Sequence, residues 1–180
     1  MKRIVWMLGI CAMALAGKVQ AQDQPSAPAA ADVVKAAQTK AGKEHKNVLL
    51  MFHASWCHWC HAMDTAIADP ACKAFFDRSY VLEHLTVAES PKKKNLENPG
   101  AEAMLNKFTD GKESGIPFWV IMDPKGKILA DSRLPQSGDN MGCPTAGPEV
   151  ERLKEILKKT GKGSAEEITA IGERFKQAAK

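Results

Sequence analysis

Ser55-Trp56-Cys57-His58-Trp59-Cys60-His61 stands two residues beyond an unbroken apolar run, Val48-Leu49-Leu50-Met51-Phe52. A run this short, with no polar alternation, predicts a strand covered on both faces, as in the middle of a mixed or parallel sheet. Beyond it, Ala62, Met63, Ala66 and Ile67 recur at helical spacing. That pattern predicts a helix over residues 57–68 with both cysteines on its first turn. A thiol in that position meets the helix dipole and free backbone amides, which favour its thiolate; such cysteines reach pKa values of roughly 3.5 to 7.5. Cys57 is therefore expected to attack a disulfide in another protein. Cys60, more buried, is expected to resolve the mixed disulfide by attacking the Cys57 sulfur. Zinc sites use the same two-cysteine spacing, but they need a second ligand pair, and the loop around Cys143 supplies none, so no metal site is expected.

Working outward, Asp32 is a candidate N-cap for a short helix ending near Gly42, with Val33, Val34, Ala36, Ala37 and Ala41 as its apolar side. Asp69-Pro70 combines an N-cap with a proline at the first helical position and predicts the start of another helix. Residues 80–87 read as a strand, 88–98 as a solvated loop and 101–108 as a helix. Strands over 118–122 and 127–130 flank Asp123-Pro124-Lys125-Gly126, where proline second and glycine fourth favour a tight reversal. Residues 131–148 hold prolines at 135, 144 and 148 and glycines at 138, 142 and 147, and read as a long surface loop. Val150, Leu153, Ile156 and Leu157 then return to helical spacing, and Ser164 with Glu167 matches a capping box that opens a last helix. Strand and helix thus alternate before a closing hairpin and helices.

In this order the residues resemble the thioredoxin family, closest to its bacterial secreted thioredoxin-like members. The likeness rests on a buried strand ending in Phe52, then Trp56-Cys57-x-x-Cys60, then Gly115-Ile116-Pro117 opening a hairpin. It runs from about residue 46 to 130 and is loose over residues 131–180. The resemblance implies an α/β, thioredoxin-like fold: a central mixed sheet flanked by helices, here with an extra C-terminal helix. It implies a protein thiol-disulfide oxidoreductase whose only cofactor is its own Cys57-Cys60 disulfide. It also implies a cis bond between Ile116 and Pro117 beside that disulfide, making both residues part of a groove for client chains. Trp56 and Trp59 are candidates for the same contact surface, although Trp59 could instead fold back over the helix.

One family feature is missing. Six residues before the first cysteine, the family carries a buried aspartate that helps exchange the proton of the second cysteine; here that position is Met51. His53 or His61 could substitute, since an unperturbed imidazole titrates near roughly 6.5. Each could equally be a packing or solvated residue. His58 could favour the Cys57 thiolate as a nearby cation, or could simply be exposed. Two other chemistries share the stretch. Cys57-His58-Trp59-Cys60-His61 is also the attachment string for c-type haem, with His61 as axial ligand, but the preceding tryptophan, the buried strand and the Gly-Ile-Pro hairpin have no place in that reading. His53, Cys57, His58, Cys60, His61 and Met63 together suit Cu(I), which gives a copper-binding redox or metallochaperone alternative.

The remainder bounds the setting. Met1-Lys2-Arg3 is a positive start, residues 4–17 form an uncharged, mostly apolar stretch, and Ala21 ends a small-residue cleavage pattern. Residues 1–21 thus read as a secretory signal peptide, since the apolar stretch over 4–17 would rise only about 21 Å as a helix, short of a bilayer core. Residues 22–31, with two prolines and no large apolar side chain, read as a flexible linker, and 32–180 as the folded domain. The expected location is periplasmic or secreted, with no membrane attachment after cleavage. The chain of 180 residues carries 25 basic and 21 acidic side chains, but Lys2, Arg3 and Lys18 lie in the leader. The mature chain is nearly neutral, so nucleic acid is not an expected partner. The expected partners are client proteins bearing thiols or disulfides, and a redox partner that recycles the site. An oxidising compartment would also allow Cys72 and Cys143 to form a structural disulfide, worth roughly 4 kcal/mol before strain for a closed loop of about 70 residues. The alternative is two separate thiols.

Overall fold

The computed structural model describes residues 27–178. The signal peptide expected over residues 1–21 and residues 22–26 of the expected linker lie outside the described residues. Helix α1 (Ala30–Glu44) opens the fold and strand β1 (Asn47–His53) follows it. The helix begins three residues earlier than Asp32 would set it: Ala29 is the N-cap and Asp32 sits in the first turn. Its start is tied down by tertiary contacts, because Ala30 N–H donates to the Pro99 carbonyl and Asn98 Nδ2 to the Pro28 carbonyl.

Helices α2 (His58–Ala68) and α3 (Pro70–Ser79) lead to strand β2 (Tyr80–Thr86). At their junction Asp69 accepts the Ala71 N–H at 2.9 Å with Pro70 behind it, the cap expected from sequence. Helix α4 (Ala101–Phe108), strands β3 (Phe118–Met122) and β4 (Ile128–Asp131), and helices α5 (Gly147–Thr160) and α6 (Ala165–Lys176) complete the order. The β3–β4 reversal closes on Gly126, whose φ of 86° suits a residue without Cβ. The α6 capping box forms as expected, Ser164 Oγ accepting the Glu167 N–H and Glu167 the Ser164 N–H.

The four strands run β2-β1-β3-β4. β1 pairs parallel with β2 and antiparallel with β3, and β3 pairs antiparallel with β4, so the sheet is mixed. All five central residues of β1 are buried, because the strand sits inside the sheet with helices on both faces. On one face Leu49, Met51, Trp119 and Ile121 pack with Met63 of α2, Phe75 of α3, Leu153 of α5 and Phe175 of α6. On the other, Leu50, Phe52, Phe118 and Val120 pack with Ala37 and Ala41 of α1 and Ala101 of α4.

Two loops depart from expectation. The segment over 88–98 is not simply solvated: residues 91–96 form a short 3-10 helix, and Glu89 and Asn98 are buried. Both carry polar side chains bonded to backbone, Asn98 Oδ1 accepting the Thr86 N–H at 2.7 Å. The stretch over 131–148 is only partly a surface loop. Met141 and Cys143 turn into the core beside Trp119, whose indole N–H donates to the Gly142 carbonyl. Apolar burial outweighs the turn-rich composition at these positions.

Candidate active site

Cys57 is the N-cap of α2, and its sulfur accepts the Cys60 N–H at 3.2 Å. The two cysteines are bonded to each other, with Cα atoms 5.3 Å apart. This places a disulfide on the first turn of a helix, where free amides would stabilise a thiolate on Cys57 after reduction. Cys60 is fully covered, whereas Cys57 keeps a small exposed edge. Trp56 and Trp59 stand out at 59% and 42% exposure on either side of Cys57. Large apolar side chains so open to solvent beside a reactive bond fit a contact surface, and Trp59 lies outward rather than folded over the helix. His58 meets the Trp59 ring edge-on at 5.5 Å between centroids and is exposed.

Opposite the disulfide, the Ile116 carbonyl oxygen lies 3.6 Å from the Cys57 sulfur, and the Ile116–Pro117 bond is cis. Pro117 is buried, while Ile116 is half-exposed and packs against the Cys57–Cys60 cluster. A cleft of about 240 Å³ adjoins these residues, bounded by Trp59, Ile116, Pro117, Met141 and Thr145. The structure therefore brings together Cys57, Cys60, Trp56, Trp59, Ile116 and Pro117 at one end of the sheet.

The histidines separate. His61 Nε2 bonds the Ser55 carbonyl at 3.1 Å, bracing the turn ahead of Cys57. His53 shares the α2 face of the sheet with Met51 and bonds Thr86 Oγ1 at 3.1 Å. Its ring lies tilted, 4.8 Å between centroids, against that of His84, which in turn meets Asp64 of α2 at 2.9 Å. Burial, reinforced by His84, holds the His53 pKa below the ordinary histidine value, and its Nδ1 is buried without a partner. His53 is thus a largely neutral imidazole at neutral pH. Three of the copper donors point apart: His53 faces His84, His58 faces Trp59 and Met63 is in the core. Among the described residues no group of three or more His, Cys, Asp or Glu could hold a metal ion.

Cys72 and Cys143 are not bridged. Both are buried free thiols within one core cluster. Burial, with some help from Asp69, pushes the Cys72 thiol up to about 11, and burial with Glu149 pushes Cys143 up to about 12.

A site residue that sequence reasoning missed is Glu89, which accepts both the N–H and the hydroxyl of Ser55. Nothing in its local pattern marks it, because its partner lies 34 residues away.

The thioredoxin-like family matches residues 29–124, and the chain belongs to that family. Among solved structures it is similar to a disulphide isomerase from Xylella fastidiosa Temecula1, at 20% identity and a TM-score of 0.47, covering 94% of this chain and 100% of that one. It is also similar to a DsbH oxidoreductase, at 23% identity and a TM-score of 0.42, covering 79% of this chain and 95% of the other. The chain matches no curated protein.

Proposed function

We propose that this protein is a periplasmic or secreted thiol-disulfide oxidoreductase that exchanges disulfides with client proteins through Cys57 and Cys60. The observation that carries the reading is the Cys57–Cys60 disulfide on the first turn of α2, set against the Ile116 carbonyl and flanked by exposed tryptophans. Membership of the thioredoxin-like family supports it, and the leader pattern of residues 1–21 supports the location. The redox group is the disulfide itself.

In the reducing direction the Cys57 thiolate attacks one sulfur of a client disulfide. A Cys57–client bond forms, and the other client sulfur leaves as a thiolate that takes up a proton. Cys60 then loses its proton and attacks the Cys57 sulfur, breaking the mixed disulfide and releasing the second client thiol. Two electrons have passed to the client and the Cys57–Cys60 bond is restored. The reverse sequence oxidises a client dithiol. Either direction needs a recycling partner, a thiol reductant or a disulfide oxidant. Client chains lie across Trp56, Trp59 and Ile116, with the buried Pro117 behind.

The test is reduction of insulin disulfides by the purified protein with a thiol reductant, together with its equilibrium against a glutathione buffer. The expected result is catalysis that vanishes in Cys57→Ser, with the equilibrium reporting whether the site works as reductant or oxidant. A wild-type protein that leaves insulin and glutathione untouched would refute the proposal.

A further inference from the structure

Glu89 is 4% exposed, yet its carboxylate is not matched by a direct ion pair among the described residues. Instead Oε1 accepts the Ser55 N–H at 2.5 Å and Oε2 the Ser55 hydroxyl at 3.0 Å. Its own N–H donates to Glu97 Oε1 at 2.7 Å, and Glu97 is paired with Lys94. The preceding residue, Ala88, has a φ of 54°, a conformation that side-chain-bearing residues seldom adopt. In that conformation its carbonyl accepts the Trp56 indole N–H at 2.9 Å. Two adjacent residues of the loop after β2 therefore grip two adjacent residues of the turn that ends at Cys57.

A carboxylate removed from water must be satisfied by donors, and here the donors belong to the active-site turn. Its charge lies at the covered base of that turn, where screening by solvent is weak. Lys93 reaches the Ser55 hydroxyl at 3.2 Å but is itself exposed, so it offsets that charge only in part. The other charged or titratable groups around the turn are His58, His61 and Asp64 of α2, His53 of β1 with His84 of β2, Lys94 and Glu97 of the same loop, and Glu149 along the adjoining cleft.

We propose that Glu89 is a positioning residue that holds the Ser55–Trp56 turn presenting Cys57, and that its fixed negative charge opposes the α2 dipole and so makes the dithiol a stronger reductant. This rests on the thiol-disulfide reading above. The sign follows from simple electrostatics. A negative charge disfavours the Cys57 thiolate, a less stable thiolate destabilises the reduced form, and the disulfide becomes the favoured state.

Glu89→Gln keeps the length of the side chain and an acceptor for the Ser55 N–H while removing the charge. It is expected to lower the pKa of Cys57, titrated by thiolate absorbance in the reduced protein. It should also move the glutathione equilibrium toward the dithiol by about threefold or more. Lys93→Met, on the surface, should move both readouts the opposite way, by less, and fade as salt is raised. Glu89→Ala, which also removes the grip on Ser55, should slow client exchange more than Glu89→Gln does. A Glu89→Gln protein that titrates and equilibrates like wild type would overturn the proposal. The thiolate titration needs no client, so a shift there in a protein that exchanges with no disulfide would sustain the role of Glu89 while refuting the activity.

Discussion

Cys57 and Cys60 sit on the first turn of α2 and are bonded, whereas Cys72 and Cys143 lie in the core on the same side of the sheet and are free. Exposure does not separate the two pairs, for Cys57 is 3% exposed and Cys60 0%, against 0% for Cys72 and 5% for Cys143. What separates them is the field each sulfur feels. The first pair meets backbone amides at a helix N-terminus, with Cys57 as the N-cap. The second meets apolar side chains and nearby acids, Asp69 for Cys72 and Glu149 for Cys143, which disfavour a thiolate. A cysteine is made reactive by oriented dipoles and an approach for the partner; burial without them leaves a small inert side chain.

The largest expected effect divides the active pair itself. Cys60→Ala removes the resolving sulfur and should halt the cycle at the mixed disulfide, accumulating covalent complexes with client proteins, visible on non-reducing gels. Cys57→Ala should trap almost nothing. Equal trapping by both variants would break the division of labour between the two sulfurs.

The next contrast lies between the pairs. In the reduced native protein at neutral pH, an alkylating reagent should modify Cys57 first, with Cys72 and Cys143 slower by at least about a hundredfold because so little of either is thiolate. Mass mapping of the labelled sites reads this directly. Denaturation should bring both hidden thiols into reaction, giving two thiols per chain in the oxidised protein beyond any in the leader. Early labelling of Cys143 would show instead that the segment over 131–148 opens in solution.

Stability should respond at the core pair on a smaller scale. Cys72→Ser places a hydroxyl among Phe75, Phe76 and other apolar side chains of its cluster and should cost about 1 to 3 kcal/mol in denaturant unfolding. A cost near zero would mean that the cluster supplies the hydroxyl with a partner.

The smallest effect concerns His53, at the end of β1. Its folded pKa is depressed by burial, so the unfolded chain binds more protons than the folded one once pH drops toward roughly 6.5. Stability should be fully present above that pH and decline as pH falls through the folded value. His53→Gln should flatten this part of the profile between pH 7.5 and 5.5, measured by denaturant midpoints. An unchanged slope would assign the pH response to other groups and leave His53 as a packing residue.

The site was legible in sequence to the extent that its parts are local. Cys57 and Cys60 three residues apart must share a helical turn, and the Asp69-Pro70 and Ser164-Glu167 caps close within four residues. The buried run of β1 announces itself because a strand inside a sheet has no polar face to show. The Ile116-Pro117 element was reached through resemblance, not through any local pattern of its own.

Tertiary structure alone decided the rest. Glu89 bonds Ser55 across 34 residues, and Ala88 takes up the Trp56 indole across 32. His53 acquires its lowered pKa from burial, reinforced by His84 on the neighbouring strand, and Met141 and Cys143 leave a breaker-rich segment to fill the core beside Trp119. Cys72 and Cys143, which composition and compartment allowed to pair, stay apart as thiols. Hydrogen-bond periods and caps act over a few residues and are written in the order of the chain. Burial, long-range partners and the field at a sulfur depend on which distant segments meet, and that is settled only when the sheet and its helices close on one another.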